Sequence, residues 1–296
     1  MRKIIAIGEC VLDVLFRNDH PVASFPGGRL LNAAAMLGSE GHQVYFVGEA
    51  ARDHVGDIIV DYLSSKGVNV QSIDRFTDGV TPTSLVFIGD NSKTSIRHER
   101  YPAESFDVVW PRIDSDDIVI FGTFYSLEER VRTRLFEIVK YAAERGAIII
   151  YLPGFSPELA NRITRVKPAI LENFEVADIV ISRSRDLQTI FGDDNDDSCY
   201  NNHMRFYCYN MLNADKDACR LRLYARDKKQ EIAFSLSDNP LIWNAGIIAG
   251  LVNYIAANGL SRNDILNLTS DDISGILSEA SKWSKKTPFD NIPTKI

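Results

Sequence analysis

Short runs of β-branched and aliphatic residues recur along the chain with helical stretches between them. The runs are Lys3–Ile7, Gln43–Val47, Ile118–Phe121, Ala147–Tyr151, Ile179–Ile181 and Arg205–Tyr209. Several are nearly all apolar, as strands covered on both faces must be. Leu30–Gly38, Val55–Lys66 and Leu127–Arg145 read as helices. The first ends on a glycine, and Gly67 and Gly146 follow the other two, where a left-handed residue closes a helix. This alternation predicts an α/β fold: a doubly wound, mostly parallel central sheet in three α/β/α layers. Val11–Phe16 and Thr83–Arg100 break the pattern and alternate like exposed strands. Together they predict a small β-sheet projecting from the main body. No repeat or low-complexity linker divides residues 1–296, which read as a single domain.

Of the 296 residues, 45% are hydrophobic and 25% charged, ample for a large core. The formal net charge of −7 argues against a nucleic-acid partner or an anionic membrane surface, both of which need a basic face. The four cysteines contain no C-x-x-C pair, so neither a disulfide framework nor a zinc ribbon is expected. Cys199, His203 and Cys208 lie close together, but their spacing matches no common zinc site, and no metal ligand is assigned. The acidic run Asp193–Asp197 reads as a solvated loop after Gly192 and lacks the Gly and Glu positions of a calcium loop. No apolar window approaches the roughly 18 residues of a membrane span. The first apolar run is too short for a signal segment. A cytoplasmic protein is expected.

Pro26-Gly27-Gly28-Arg29-Leu30-Leu31-Asn32 is the most informative segment. Adjacent glycines let backbone approach a ligand closely, and an Asn on the first turn of a helix offers a donor and an acceptor to hydroxyls. By itself the pair of glycines is equally a tight turn. The segment belongs to an ordered series: Gly8-Glu9-Cys10-Val11-Leu12-Asp13, Asp53-His54-Val55-Gly56, Lys66-Gly67-Val68, Thr81-Pro82-Thr83, Phe121–Leu127, and Asn244–Leu251. In that order the motifs resemble the ribokinase/PfkB carbohydrate-kinase family, particularly its fructokinase-like branch. The resemblance implies a ribokinase-like fold with a sugar or polyol site at the carboxyl edges of the strands, covered by the small β lid. It implies that Asp13, Gly27, Gly28 and Asn32 hold sugar hydroxyls, with Arg100 on the lid beside them, and that lids pair in a homodimer.

The same resemblance places the chemistry in the carboxyl-terminal half, where the chain departs from its pattern. Family kinases carry Gly-Ala-Gly-Asp at a helix start, the backbone N–H groups forming an anion hole and the Asp acting as base. With Asn244–Leu251 fixing the register, those positions are Asp238, Asn239, Pro240 and Leu241. Leu241 cannot accept a proton, and Pro240 has no N–H to donate. A register three residues earlier would make Asp238 the base, at the cost of the match from Trp243 through Leu251. The family's Asn-x-x-Glu motif, which helps organise metal and phosphates, falls on Arg183-Ser184-Arg185-Asp186. Its Gly-x-x-Gly falls on Asn213-Ala214-Asp215-Lys216. Where relatives often read Asp-Pro-Asn-Phe-Arg, three polar positions have become Leu152, Gly154 and Ser156. The expectation is a sugar-binding family member with impaired or lost phosphoryl transfer, a pseudokinase. The alternatives are an active kinase with a non-standard base, using magnesium and ATP, and a non-catalytic dimeric structural or regulatory partner.

Overall fold

A computed structural model describes residues 2–88, 93–102, 106–154, 163–235 and 242–289. In β1 (Lys3–Ile7), Ile4 and Ala6 face one hydrophobic layer while Ile5 and Ile7 face another. The same split recurs in β9 (Ile148–Leu152), where Ile148 and Ile150 pack opposite to Ile149 and Tyr151. Successive side chains of a strand point to opposite faces, so a strand apolar at every position needs cover on both sides. That cover comes on one side from α1 (Arg29–Ser39), α2 (His54–Ser65), α7 (Trp243–Ala257), α8 (Arg262–Leu266) and α9 (Ser270–Trp283). On the other side it comes from α3 (Glu129–Glu144), α4 (Ile163–Val176) and α5 (Ser184–Phe191). The result is the three-layer α/β/α arrangement.

Among the described residues the large sheet has nine strands. A parallel run comprises β11 (Asn210–Asp215), β10 (Ile179–Arg183), β9, β8 (Ile118–Gly122), β1, β4 (Gln43–Ala51) and β5 (Ile73–Phe76), in that spatial order. Beyond β11, β12 (Arg220–Ala225) and β13 (Lys228–Ala233) extend the edge antiparallel. A second sheet is built from β3 (His20–Gly27), β2 (Val11–Arg17), β6 (Val80–Ile88) and β7 (Lys93–Arg100), with β2 parallel to β6 and the other pairs antiparallel. Residues 11–16, 83–88 and 93–100 lie in this sheet, joined by β3, which the sequence pattern did not single out. Phe289 seats the sheet on the body, its ring 5.0 Å from that of Phe25 on β3 and 5.3 Å from Tyr62 on α2.

Three local expectations need correction. Arg205–Tyr209 is not a strand: Met204–Phe206 forms a 3-10 turn with Phe206 74% exposed, and the strand is Asn210–Asp215. Its asparagines disguised it. Asn210 is buried with its amide donating to the carbonyls of Asp178 (3.0 Å), just before β10, and of Ile265 (2.9 Å), on the helix Arg262–Leu266, which satisfies it in the interior. Second, α1 ends past Gly38, and Gly41 is the left-handed residue (φ 85°). Gly38 is instead a contact point, because a Cβ there would lie 2.4 Å from the Lys66 carbonyl oxygen. Third, the run Asp193–Asp197 is only partly a loop. Asn195 caps α6 (Asp196–Asn202), and Asp196 is buried, accepting from Ser184 (2.8 Å) and Arg222 (2.7 Å). Among the described residues no helix is long and apolar enough to cross a membrane.

Candidate functional site

The parallel strands end on one edge, where an open α/β sheet offers a crevice to ligands. Glu9 follows β1, Phe124 and Tyr125 follow β8, Gly154 follows β9, and Arg183 closes β10. Over the β1–β8 end of this edge lies a cleft of about 910 Å³, roofed by the small sheet. Asp13, Gly28, Arg29 and Asn32 line it from below and the side. Ser84 on β6 and Ser95, Arg97 and Glu99 on β7 line it from the small sheet.

The two glycines before α1 serve different needs. Gly27 pairs with Val11 across β2 and β3, and a Cβ on it would sit 2.2 Å from Oδ2 of Asp13. The missing side chain therefore leaves room for the Asp13 carboxylate. Gly28 adopts φ 112°, which side-chain-bearing residues rarely reach, and a Cβ on it would meet the Glu9 carbonyl oxygen at 2.6 Å. That turn starts α1 so that Asn32 falls one turn in. Asn32 is only 6% exposed, and its Oδ1 has no hydrogen-bond partner. A buried amide oxygen without a donor is costly, and a ligand hydroxyl would satisfy it.

Arg100 lies outside the cleft lining. Its side chain is 69% exposed, 4.0 Å from Asp78. The reason is strand parity: Ser95, Arg97 and Glu99 share one face of β7, and Arg100 falls on the other. Arg97 is the arginine that reaches the site, bonding Glu9 at 2.7 Å and Glu99 at 2.6 Å. The alternation along β7 was the signal that would have selected it.

A second polar cluster closes the cleft beside α3. Glu49 on β4 has a fully buried side chain that accepts from the Tyr125 hydroxyl (2.9 Å) and from Arg130. Arg130 also holds Glu128 at 2.7 Å and lies 3.5 Å over the Tyr101 ring. Burial pushes the Glu128 carboxyl up to about 7, against the pull of Arg130. Glu49, Glu128 and Arg130 were not selected from sequence, where they appear as ordinary charged positions, and Tyr125 entered only as part of the Phe121–Leu127 motif.

Along the edge, over β9–β11, a small pocket of about 20 Å³ is lined by Arg29, Leu152, Gly154, Arg183, Asp186 and Asn244, among others. Asp186 pairs with Arg183 in two-pronged fashion, Nε to Oδ2 at 2.8 Å and Nη2 to Oδ1. Asn213 is buried among Ser182, Ser184 and Asp196. Lys216 is exposed in the turn between β11 and β12, away from both cavities. Cys199 and Cys208 are buried, and His203 stacks on Phe191 with its Nε2 3.2 Å from Asp193. Phe155, Ser156, Asp238, Asn239, Pro240 and Leu241 lie outside the described residues. The helix that follows them, α7, begins at Trp243, has no acidic residue in its first turn, and contributes Ala245 to the cleft.

The sequence profile of the pfkB family carbohydrate kinases matches residues 1–201, well over half of the chain. The chain belongs to that family. Among curated relatives, this pfkB-family chain is 21% identical over 183 residues to the fructokinase of Vibrio alginolyticus, covering 61% of this chain and 60% of the relative. It is 24% identical over 191 residues to a probable fructokinase-3 of Arabidopsis thaliana, covering 60% and 55%. The matches thus span little more than half the length of these relatives. The fold is shared with aminoimidazole riboside kinase from Salmonella enterica, solved with aminoimidazole riboside and an ATP analog. There the TM-score is 0.80 at 16% identity, over 96% of this chain and 92% of the other. It is shared also with fructokinase from Xylella fastidiosa with bound ATP, at TM-score 0.77 and 18% identity, over 97% and 93%.

Family resemblance implies magnesium near the Arg183–Asp186 position. The donors present do not fit it: the Asp186 carboxylate is already held at both oxygens by a guanidinium. Among the described residues, no group of three or more His, Cys, Asp or Glu side chains is arranged to hold an ion. A carboxylate neutralised by an internal cation is a poor ligand for an external one.

Proposed function

We propose that this pfkB-family protein binds a sugar or polyol in the cleft beneath the small sheet and has lost, or nearly lost, ATP-dependent phosphoryl transfer. The small sheet, with residues 11–16, 83–88 and 93–100, is the lid of that cleft, and Asp13 and Asn32 hold the ligand's hydroxyls. Gly27 makes space for the Asp13 carboxylate, and Gly28 sets the turn that presents Asn32.

One observation carries the loss of transfer. The first turn of α7 has no acid, and the residue that family register puts at the base position is Leu241. Among the described residues the acids lining the cleft are Glu9, Asp13, Glu99, Glu128 and Glu129. Removing a general base costs about 10²–10⁴ in rate. Losing an anion-hole donor, as Pro240 requires, costs about 10²–10³.

A specific observation favours a second reading, an active sugar kinase with a non-standard base. Glu128 lines the cleft, and its carboxyl is pushed by burial up to about 7, the range a general base needs. A thermal-shift panel of sugars and polyols, with and without Mg-ATP, separates the two. Stabilisation by a sugar alone, unchanged by Mg-ATP, is the expected result. Stabilisation by Mg-ATP together with consumption of the sugar would favour the second reading.

A further inference from the structure

Among the described residues four arginines line the cleft: Arg29, Arg97, Arg130 and Arg165. Arg97 holds Glu9 and Glu99, Arg130 holds Glu49 and Glu128, and Arg165 holds Glu129. Arg29 alone has no carboxylate partner among the described residues. It opens α1, whose first turn has no acidic residue and whose N-cap makes no side-chain hydrogen bond. The positive end of that helix and the guanidinium therefore add at one place. Its position is built: Gly154 adopts φ 49°, and a Cβ there would lie 2.5 Å from Arg29 Nη1 and 3.4 Å from Thr123 Cγ2. Thr123 is itself strained, a β-branched residue at φ 58°, only 6% exposed and with no partner for its hydroxyl. Strain of that kind persists where surrounding structure holds it, and it clusters at ligand sites. Burial first, then the neighbouring Arg183, push Arg29 down to about 10, against the weaker pull of Asp186 and Glu9.

We infer that Arg29 is an oxyanion-binding residue of this cleft, and that the ligand is an acidic or phosphorylated sugar rather than a neutral one. The naming of the sugar rests on the reading above. The oxyanion locus itself does not. Arg29 and Asn32 are three residues apart and share one face of α1, which sets their side chains close enough for one small molecule. Asn32 Oδ1 needs a hydroxyl donor, and Arg29 needs a carboxylate or phosphate acceptor. A sugar acid or sugar phosphate supplies both, and a planar guanidinium can hold either group with two parallel bonds. The Arg29 side of the cleft faces the small pocket, so the oxyanion lies toward the α7 end and the hydroxyls toward Asp13.

The test is calorimetric titration of the full chain in EDTA with fructose, fructose 6-phosphate, gluconate, inorganic phosphate and ATP. A charge-assisted pair predicts that fructose 6-phosphate or gluconate binds about 10- to 100-fold tighter than fructose. Arg29→Ala should erase that preference, Arg29→Lys should keep part of it, and Asn32→Ala should weaken all sugars alike. Equal unfolding midpoints show that each variant is folded. The gluconate and fructose 6-phosphate arms tell a carboxylate from a phosphate. Inorganic phosphate binding that depends on Arg29, without binding of any sugar, keeps the oxyanion locus and removes the sugar reading. Fructose binding as tightly as its acidic counterparts, unchanged by Arg29→Ala, overturns the inference and leaves the sugar reading standing. An Arg29 effect confined to ATP also overturns it, since the oxyanion would then belong to a nucleotide.

Discussion

A Cβ on Gly27 would sit 2.2 Å from the Oδ2 atom of Asp13, so the absence of one side chain fixes the place of another. The two residues belong to adjacent strands of the small sheet, with Asp13 opposite Phe25 and Gly27 opposite Val11. Gly27→Ala should displace the carboxylate and reduce sugar affinity by about tenfold or more, the worth of a hydrogen bond to a charged group. The strand geometry itself tolerates alanine, because Gly27 is not among the glycines at positive φ. Titration of the variant with a sugar bound by the wild type checks this, with the unfolding midpoint as control.

Glu49 anchors the wall beside α3. Its side chain is fully buried and accepts from Tyr125 and Arg130. Glu49→Ala removes one of the two described carboxylates that Arg130 pairs with and should cost about 3–5 kcal/mol of stability, as broken buried pairs do. Tyr125→Phe removes one hydrogen bond and should cost about 1 kcal/mol. Urea unfolding of both variants measures the ratio.

Glu128 gives stability a pH dependence. Its ordinary value is 4.5, and burial first, then Glu99, raise it to about 7 in the fold, while Arg130 and Arg97 pull it down. Between those values the folded chain keeps a proton that the unfolded chain has released. The contribution of this group is therefore fully present below about 4.5 and is lost as pH rises through about 7. Glu128→Gln should flatten the stability profile across that interval. An unchanged slope in urea midpoints from pH 4.5 to 7.5 would assign the dependence elsewhere.

The layers of the fold were legible because burial on both faces of a strand writes itself as an unbroken apolar run, as in Ile148–Leu152. β12 and β13 were not legible: on an antiparallel edge, Arg222 and Glu231 stand among apolar residues and pair with each other at 3.1 Å. At the site, the motif residues Asp13 and Asn32 lie at the same cleft, whereas Arg100 is replaced by Arg97 through strand parity, which a motif does not encode. Asp53 shows another limit. It stood in the motif series, yet its carboxylate caps α2 at Gly56 and accepts from Thr81, tying two elements together away from the cleft. Glu49 and Arg130 were invisible for a simple reason: their partnership spans distant parts of the chain.

Restoring one catalytic part should not restore the reaction. A proton acceptor and an anion hole act on the same transition state, so Leu241→Asp alone should leave turnover near background. Replacing Asp238–Leu241 by Gly-Ala-Gly-Asp should raise it further, limited by the Arg183–Asp186 pair. Adding Arg183→Asn to that replacement should raise it again. Rates of ADP release for the three variants give the order.

The most direct test is ADP release by the wild-type chain with a panel of sugars and sugar acids and Mg-ATP, beside metal-free controls, under conditions where sugar binding is measured on the same sample. A chain that binds sugar through Asp13 and Asn32 but lacks the base and the anion hole should bind without turning over above background. Turnover of about 1–100 s⁻¹, the range usual for kinases, would contradict this. It would direct mutation first to Asp238 and then to Glu128.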